Sequence, residues 1–484
     1  MLPPMTQLDL DLTPFVEDHA GSNLSPSGIV AVAERGALVS SLAWGDDGYG
    51  ESTKFRVASC TKSFTALALL ALRRAGKLTL DDEVRAHLPE LTLEAPAGWP
   101  TLRIRHLLSM SSGLATDNPW GDRQEAASRE RLGAWMSAGV RLLFPPGSAY
   151  EYSNLGYALL GEIVTRAAGR PYRDYVMSEI VVPLGLSDTA FSAADLDGVV
   201  QGYHREPPLP GRPGGWTPQP QSAPGAFSPM GGLYSSVRDL ARWADLHLGR
   251  EAPEGAAFTS ADLVEAQEPL CLIGASQAEA PLCGTVVTGY GYGLKVERFE
   301  RHGTLVSHAG GYPGFTAYMC WHRPTGRTVI ASANGTHSAA PTLARKVMFE
   351  IMAGASGAPA EARPWPETVA AVSAIDARVA GAGEGDARQL AARHAELFAD
   401  NVELDFPLVD RIDHLRRALV NLGRVDAAGP HAPPRFERPC RASWQVRADH
   451  GRLELFLELA PVAPFKVQTF SAVAVNGPGR VTLF

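Results

Sequence analysis

The chain has 484 residues, of which 45% are hydrophobic and 20% are charged, and it carries a formal net charge of −8. This length allows two or three domains, and the negative charge argues against a nucleic-acid partner, since nucleic-acid binding needs a basic surface. The first residues lack a basic segment followed by an apolar one, and no uncharged apolar run approaches the roughly 18 residues of a membrane span, so we expect a cytoplasmic protein without a membrane partner.

The first half of the chain opens with strand patterns and continues with helix patterns. Residues 28–36 and 37–45 alternate like the two strands of a hairpin, with a turn at Arg35 and Gly36. Apolar residues then recur at helical spacing, and Gly76 and Gly169 stand where two of these helices end. The predicted helices cover residues 61–76, 102–114, 154–169 and 236–249.

The segment that follows combines a proline-rich loop with returning strands. Residues 207–229 hold eight prolines and are predicted to be a loop. Residues 304–335 read as strands with a turn at Pro324–Gly326, and a helix is predicted over residues 341–353. The order of strands, helices and strands predicts one α+β domain over residues 1–355, whose central antiparallel sheet is built from both ends of the domain.

A second domain is predicted over residues 356–484. Residues 354–367 are rich in small residues and proline and are interpreted as a linker. Beyond them, two helical patterns precede three alternating strands. We therefore expect a small α+β accessory domain, cystatin-like in form, with a small lipocalin-like barrel as the alternative.

The segment FRVASCTKSF places Ser59 three residues before Lys62, where a predicted helix begins. Residues three apart share one face of a helix, so the hydroxyl and the amine are expected to be neighbours. A serine that opens a helix offers an exposed Oγ, and a lysine one turn inside an apolar helix loses hydration, which lowers its pKa and favours the neutral amine of a base. The alternative interpretation is a helix cap beside an exposed lysine.

Two further groups of residues favour the catalytic interpretation. Tyr152 and Asn154 stand just before a predicted helix, and His308 precedes Gly310 on a predicted strand. Each of these residues alone also fits an ordinary turn, cap or core position. Taken in order, the patterns S-x-x-K, Y-x-N and H-x-G resemble the serine β-lactamases and penicillin-binding proteins, in particular the class C-like esterases and peptidases. The resemblance covers roughly residues 10–355.

This resemblance implies a fold and a role for each matching side chain. The fold is the β-lactamase/transpeptidase type, a central antiparallel sheet flanked by helices with an additional all-helical region. Ser59 becomes the acyl-enzyme, and Lys62 and Tyr152 share the work of general base and general acid, with the choice between them open. Asn154 either orients Lys62 or binds the substrate amide.

The backbone completes the implied site. The N–H groups of Ser59 and Gly311 are expected to form the oxyanion hole, each donor being worth roughly 3 kcal/mol in the transition state. Gly310 and Gly311 suit a strand to which the substrate backbone comes close. The chemistry requires no metal and no cofactor, and the five scattered cysteines show neither metal-ligand spacing nor a disulfide framework.

His308 departs from the antibiotic-degrading members of the family, which carry lysine at this position. Histidine is only partly charged near neutral pH, so it is a weaker partner for a substrate carboxylate. We therefore expect poor turnover of β-lactams, weaker binding of anionic substrates as the pH rises, and no such loss for neutral peptidyl esters or thioesters.

Three functions follow from these patterns. The favoured one is a stand-alone thioesterase of the penicillin-binding-protein type, which releases or cyclises a peptide from a carrier protein. The alternative is a general esterase or a D-residue peptidase or carboxypeptidase that passes the acyl group of a small-molecule or peptidyl substrate to water. A catalytically silent binder is the third, and the presence of Ser59, Lys62 and Tyr152 argues against it.

Two more residues are candidates for substrate binding. Trp120 lies in a charged segment, residues 116–125, that either lines the cleft or is a solvated loop. Arg480 lies near the end of the chain, either on an arm that holds a substrate carboxylate or on a plain terminal strand.

Overall fold

The computed structural model describes residues 10–21, 24–45, 48–206, 214–355, 364–380, 386–425, 434–476 and 479–484. The chain divides into two compact units, Met1–Ser356 and Gly357–Phe484. None of the helices in the described ranges is both long and apolar enough to cross a membrane.

The first unit is built on an eight-stranded antiparallel sheet with the strand order β2-β1-β14-β13-β12-β11-β10-β9. Short two-stranded pairs accompany it, among them β3 with β8 and β6 with β7. The strands are β1 (Gly28–Glu34), β2 (Ala37–Trp44), β3 (Phe55–Arg56), β4 (Leu93–Glu94), β5 (Val140–Arg141), β6 (Tyr203–Glu206), β7 (Gly215–Pro218), β8 (Tyr234–Ser235), β9 (Cys271–Gln277), β10 (Thr285–Tyr290), β11 (Lys295–Phe299), β12 (Gly303–Tyr312), β13 (Phe315–His322) and β14 (Arg327–Ala333).

Helices cover both faces of this sheet. They are α1 (Thr13–Gly21), α2 (Thr61–Arg74), α3 (Val84–His87), α4 (Ile104–Leu108), α5 (Asn118–Gly121), α6 (Arg129–Ala138), α7 (Asn154–Ala168), α8 (Tyr172–Val176), α9 (Ser228–Gly231), α10 (Val237–His247), α11 (Ser260–Ala266) and α12 (Ala340–Gly354). The expected architecture of a central antiparallel sheet flanked by helices, with strands from both ends of the domain, is therefore confirmed.

Strand alternation explains why the sheet has two buried faces. On β1, Ile29 and Ala31 belong to the core that contains α2, α7 and α10, whereas Val30 and Val32 belong to the core that contains α12. Successive side chains of a strand point to opposite faces, so a strand covered on both sides is apolar throughout. The sheet is thus the middle layer between two groups of helices.

The predicted hairpin and the predicted helix ends are present. Arg35 and Gly36 connect β1 and β2 with φ values of 51° and 74°, and such a pair of positive φ values matches the twist of a two-residue hairpin. Gly169 follows α7 at φ 68°, the left-handed conformation that commonly ends a helix. The helix predicted over residues 102–114 is shorter, because Met110 has a φ of 56° and the helix α4 ends at Leu108.

The structure also corrects two expectations about this domain. Strands β9, β10 and β11 extend the sheet by three strands that the sequence patterns did not predict. The proline-rich segment 207–229 is not only a loop, since β7 pairs with β6 and α9 begins at Ser228. Residues 207–213 lie outside the described residues.

The second unit combines helices with a five-stranded antiparallel sheet of order β15-β16-β17-β18-β19. Its described strands form an open meander, so the lipocalin-like barrel is wrong for them. Two helices and three strands were expected, and the described residues add α13, α15, β15 and β19. The elements are α13 (Pro366–Ala380), α14 (Ala387–His394), α15 (Asp400–Asp405), α16 (Leu408–Leu422), β15 (Arg435–Arg438), β16 (Arg441–Ala448), β17 (Gly451–Leu459), β18 (Val467–Asn476) and β19 (Gly479–Thr482).

Candidate active site

A strained turn presents Ser59 at the start of α2. Strand β3 is followed by the short 3₁₀ turn Ala58–Cys60, which runs directly into α2. Ala58 has a φ of 48°, a left-handed conformation that costs an alanine about 1–2 kcal/mol. The turn leaves Ser59 8% exposed, while Cys60 faces the interior and donates its S–H to the His308 carbonyl. The nucleophile is therefore held by the backbone between a strand and a helix.

Lys62 is buried one turn further along α2 and aims its amine at the serine. Its Nζ lies 3.0 Å from Ser59 Oγ, 2.8 Å from Asn154 Oδ1 and 2.7 Å from the Met230 carbonyl oxygen. The side chain is fully buried, and this burial lowers the pKa of Lys62 to about 7. A large fraction of the amine is therefore neutral near pH 7, in the form that accepts a proton.

Tyr152 completes a triangle with these two groups. Its side chain interacts with that of Ser59, and its ring centroid lies 4.8 Å from Lys62 Nζ. Burial raises the pKa of Tyr152 well above its usual value of 10.0, although the interaction with Ser59 acts in the opposite direction. The phenol is therefore a proton donor at neutral pH, and of the two candidates Lys62 is the one that is ready to act as a base.

Both ends of the Asn154 side-chain amide are hydrogen-bonded inside the protein. This residue is the first of α7, whose start is capped by Ser153 Oγ accepting from the Gly156 N–H at 3.2 Å. Asn154 is fully buried; its Oδ1 accepts from Lys62 Nζ, and its Nδ2 donates to Asn118 Oδ1 at 2.9 Å. These contacts favour the interpretation that Asn154 orients Lys62.

Strand β12 comes very close to the turn that carries Ser59, which we call the nucleophile turn, at one glycine. It leaves open space beside the next glycine. A Cβ at Gly310 would lie 2.1 Å from the Val57 carbonyl oxygen, a distance that no side chain tolerates. A Cβ at Gly311 would meet nothing within 4 Å, and Gly311 lines the cleft. The two glycines therefore serve different purposes: Gly310 lets the protein's own strands meet, and Gly311 keeps the space beside Ser59 open.

The expectation of a partly charged His308 is wrong. His308 Nδ1 lies 2.6 Å from the Ala309 carbonyl oxygen, which can only accept, so Nδ1 carries the proton and Nε2 accepts from the Tyr290 hydroxyl at 2.8 Å. Burial, with a smaller contribution from Lys62, lowers the pKa of His308 to about 3. The imidazole is neutral across the physiological range, so its titration does not weaken the binding of anionic substrates between about pH 6 and 8.5.

The site opens into a cleft with a volume of about 730 Å³. Ser59, Tyr152 and His308 line it, together with two cations, Arg123 and Lys295. Lys295 Nζ pairs with Glu297 Oε1 at 3.2 Å, and the same carboxylate receives Arg345 at 2.7 Å, so Glu297 is shared between two cations. The cleft therefore offers positive charge to a substrate carboxylate, although His308 supplies none.

Two weaker candidates have other contacts. Trp120, on α5, is 41% exposed and packs edge-on against Trp135 and Phe227, and it is not among the residues that line the cleft. Arg480 lies on β19 in the second unit and pairs with Glu454 at 2.8 Å. Among the described residues, no three His, Cys, Asp or Glu side chains are placed to hold a metal ion.

The segment 116–125, expected either to line the cleft or to be a solvated loop, does contribute Asn118, Pro119, Asp122 and Arg123 to the cleft. Other cleft residues were not predicted from the sequence, among them Ile273, Tyr290 and Lys295. These three residues lie on β9, β10 and β11. Part of the signal was present, because residues 285–288 are all β-branched and are followed by a glycine- and tyrosine-containing segment, which is typical of a strand that ends in a turn. Asn118 and Asp122 lie in and after a four-residue helix that has no periodicity to detect.

Comparison with known proteins places this geometry in a family. The sequence model described as Beta-lactamase matches residues 13–351. The chain therefore belongs to the β-lactamase family, a class of serine hydrolases that includes penicillin-binding proteins, as its residue patterns predicted.

Individual relatives match this chain at low to moderate sequence identity. Beta-lactamase-like protein 2 of Dictyostelium discoideum is 33% identical over 285 residues, which cover 56% of this chain and 47% of that protein. Penicillin-binding protein 4* of Bacillus subtilis is 26% identical over 64% of this chain and 68% of its own length. The octameric penicillin-binding protein homologue of Pyrococcus abyssi shares the fold, with a TM-score of 0.56 at 20% identity over 97% of this chain and 99% of its own. The chain thus spans about half the length of the first of these relatives.

Proposed function

We propose that this protein is a serine acyl-transfer enzyme that forms its acyl-enzyme on Ser59. The observation that carries the proposal is the buried Lys62 amine, which lies 3.0 Å from Ser59 Oγ and whose pKa burial lowers to about 7. A capping serine beside an ordinary lysine would need neither the burial nor the three hydrogen bonds to Lys62 Nζ. Membership of a serine hydrolase family supports the same conclusion.

The reaction follows from the positions of the protons. Ser59 Oγ attacks the substrate carbonyl carbon while its proton passes to Lys62 Nζ, and the N–H groups of Ser59 and Gly311 face the oxygen that becomes negative. The bond from the carbonyl carbon to the leaving oxygen, sulfur or nitrogen then breaks, and the leaving atom takes a proton from Lys62 or through Tyr152. Water or an amine then attacks the carbonyl carbon of the resulting ester and gives its proton to Lys62, and Lys62 passes a proton to Ser59 Oγ as the bond from the carbonyl carbon to that oxygen breaks.

The favoured donor is a peptidyl thioester, delivered by a carrier protein and released as an acid or as a ring. The open cleft of about 730 Å³ supports a donor of peptide size. An amine acceptor is supported by Asp122, a carboxylate that lines the cleft and is suited to pair with an ammonium group.

A second candidate is a D-residue carboxypeptidase or an esterase, in which water takes the acyl group. Lys295 favours it, since this lysine lines the cleft, is 39% exposed and shares Glu297 with Arg345. A cation that is partly exposed and whose carboxylate partner is shared with a second cation suits the terminal carboxylate of a peptide. A cytoplasmic location remains a prediction for both candidates.

The test is intact-protein mass spectrometry with a slow activated ester, followed by peptide mapping. The adduct is expected on Ser59 and absent from Ser59→Ala, while Ser63→Ala, changed one turn along the same helix, retains it. An adduct on another residue contradicts the proposal. With a linear peptidyl thioester that bears a free amine, a product lighter by one water than the hydrolysed acid identifies the cyclase, and the acid itself identifies the hydrolase.

A further inference from the structure

An exposed isoleucine faces the catalytic cleft from the edge of the main sheet. Strand β9 is the outermost strand on this side of the sheet, and Ile273 lies near its start. The side chain is 40% exposed and lines the same cleft as Ser59. A large apolar side chain left open to water beside a reaction centre is a candidate contact for substrate.

A bulge in the strand pairing singles out this residue. On β10, Thr288 pairs with Gly274 and Gly289 pairs with Leu272, so Ile273 between them has no partner. A β-bulge leaves one residue outside the ladder and re-aims its side chain, and such bulges are frequent beside active sites. Leu272, the preceding residue, is 66% exposed yet does not line the cleft. The bulge thus directs one of two neighbouring apolar side chains towards the site.

Tyrosine rings connect Ile273 to the reaction centre. The Tyr290 hydroxyl donates to His308 Nε2 at 2.8 Å, and the Tyr150 ring lies 5.8 Å from the Tyr290 ring between centroids. Both tyrosines line the cleft, and Tyr290 pairs in register with Cys271, two residues before Ile273. The cleft-lining residues from His308 on β12 to Ile273 on β9 therefore form one wall, in which the two tyrosine rings and Ile273 are apolar and Lys295 of β11 carries a charge.

We propose that Ile273 determines specificity by receiving the far end of an extended apolar chain of the substrate. This inference deepens the proposed function and rests on it. Three strand spacings separate β12 from β9, or about 14 Å. An acetyl group stays beside Ser59, whereas a long acyl chain, or about four residues of extended peptide, reaches the wall's end. The apolar chain belongs either to the acyl group or to the leaving group.

The experiment compares kcat/KM for three esters on four proteins. The esters are 4-nitrophenyl acetate, 4-nitrophenyl dodecanoate, which lengthens the acyl group, and dodecyl acetate, which lengthens the leaving group. The proteins are the full chain, Ile273→Asn, Ile273→Leu and the matched control Leu272→Asn. We expect Ile273→Asn to lower kcat/KM about tenfold for one of the two dodecyl-chain substrates, mainly through KM, since losing the apolar contact costs about 1.4 kcal/mol.

The same comparison contains the outcomes that overturn the inference. The kcat/KM for 4-nitrophenyl acetate is expected to stay within about twofold in every variant, Ile273→Leu to restore turnover of the long-chain substrate, and Leu272→Asn to change nothing. Equal losses for the acetate and the long-chain substrates, or no loss for either long-chain ester, contradict the role of Ile273. Failure of the unchanged protein to acylate Ser59 with 4-nitrophenyl acetate contradicts the proposed function instead.

Discussion

At the scale of single residues, the site depends on the burial of charge. Lys62 and His308 are both basic groups whose pKa values burial lowers, to about 7 and about 3, and the difference separates their roles. Lys62 changes its protonation state near neutral pH, whereas His308 stays neutral and serves as a fixed hydrogen-bond acceptor for Tyr290. A lysine whose pKa lies near the working pH can therefore act as a base, whereas a histidine whose pKa lies far below that pH serves only as a fixed hydrogen-bonding group.

The rate of acylation is expected to rise with pH through about 7. Below that value Lys62 is protonated and cannot accept the Ser59 proton, and above it the amine is free. Among the neighbouring charges, Asp122 contributes most to keeping Lys62 protonated, so Asp122→Asn is expected to lower the pKa of Lys62 and to move the midpoint of the pH profile down. The measurement is burst acylation from pH 5.5 to 9, with the exposed Asp195→Asn as the control. A midpoint that stays or moves up contradicts the assignment of the base.

At the scale of elements, the site exists where β12 passes the nucleophile turn. The contact depends on Gly310, since a Cβ there would lie 2.1 Å from the Val57 carbonyl oxygen and 3.3 Å from the Ala58 Cβ. The neighbouring Gly311 has no such constraint. Gly310 and Gly311 can therefore be substituted as a matched pair, in which only the side chain added at Gly310 meets the backbone of the turn.

Gly310→Ala is expected to force β12 away from the turn. The predicted result is a loss of about 1–3 kcal/mol in the free energy of unfolding, as for other overpacked sites, and a fall of about 10² or more in the rate of Ser59 acylation. Gly311→Ala is expected to leave the free energy of unfolding within about 0.5 kcal/mol of the unchanged protein. Urea unfolding and burst kinetics measure the two effects. Equal stability of the two variants would contradict this interpretation of the close approach.

Sequence patterns predicted the elements that carry strong local signals. Gly169 marked the end of a helix, Arg35 and Gly36 marked a hairpin turn, and both features are present in the structure. They could be predicted because a positive φ favours few residue types. Strand β9 escaped prediction because an exposed edge strand lacks the alternation of a half-buried one. The charge of His308 was also misjudged, since its lowered pKa depends on burial by distant segments and on the nearby Lys62, neither of which is a local property of the sequence.

At the scale of the whole molecule, the two units have separate hydrophobic cores. The clusters of the first unit share no residue with the cluster of the second, which includes Leu453, Leu455 and Trp444. Each unit therefore has its own apolar burial to stabilise it.

This separation predicts two unfolding transitions by differential scanning calorimetry. Leu453 is fully buried on β17, so Leu453→Ala is expected to destabilise the second unit by about 2–5 kcal/mol and to lower one transition only. The other transition and the rate of Ser59 acylation should match those of the unchanged protein. A single transition that shifts as a whole would show that the two cores unfold together.

The left-handed Ala58 has a consequence for engineering this enzyme. Glycine adopts the φ of 48° at this position without the cost of about 1–2 kcal/mol that alanine bears, so Ala58→Gly removes strain from the folded state. It also widens the range of conformations open to the backbone next to Ser59. In a directed-evolution experiment, selection for heat resistance and selection for turnover are therefore expected to favour different residues at position 58.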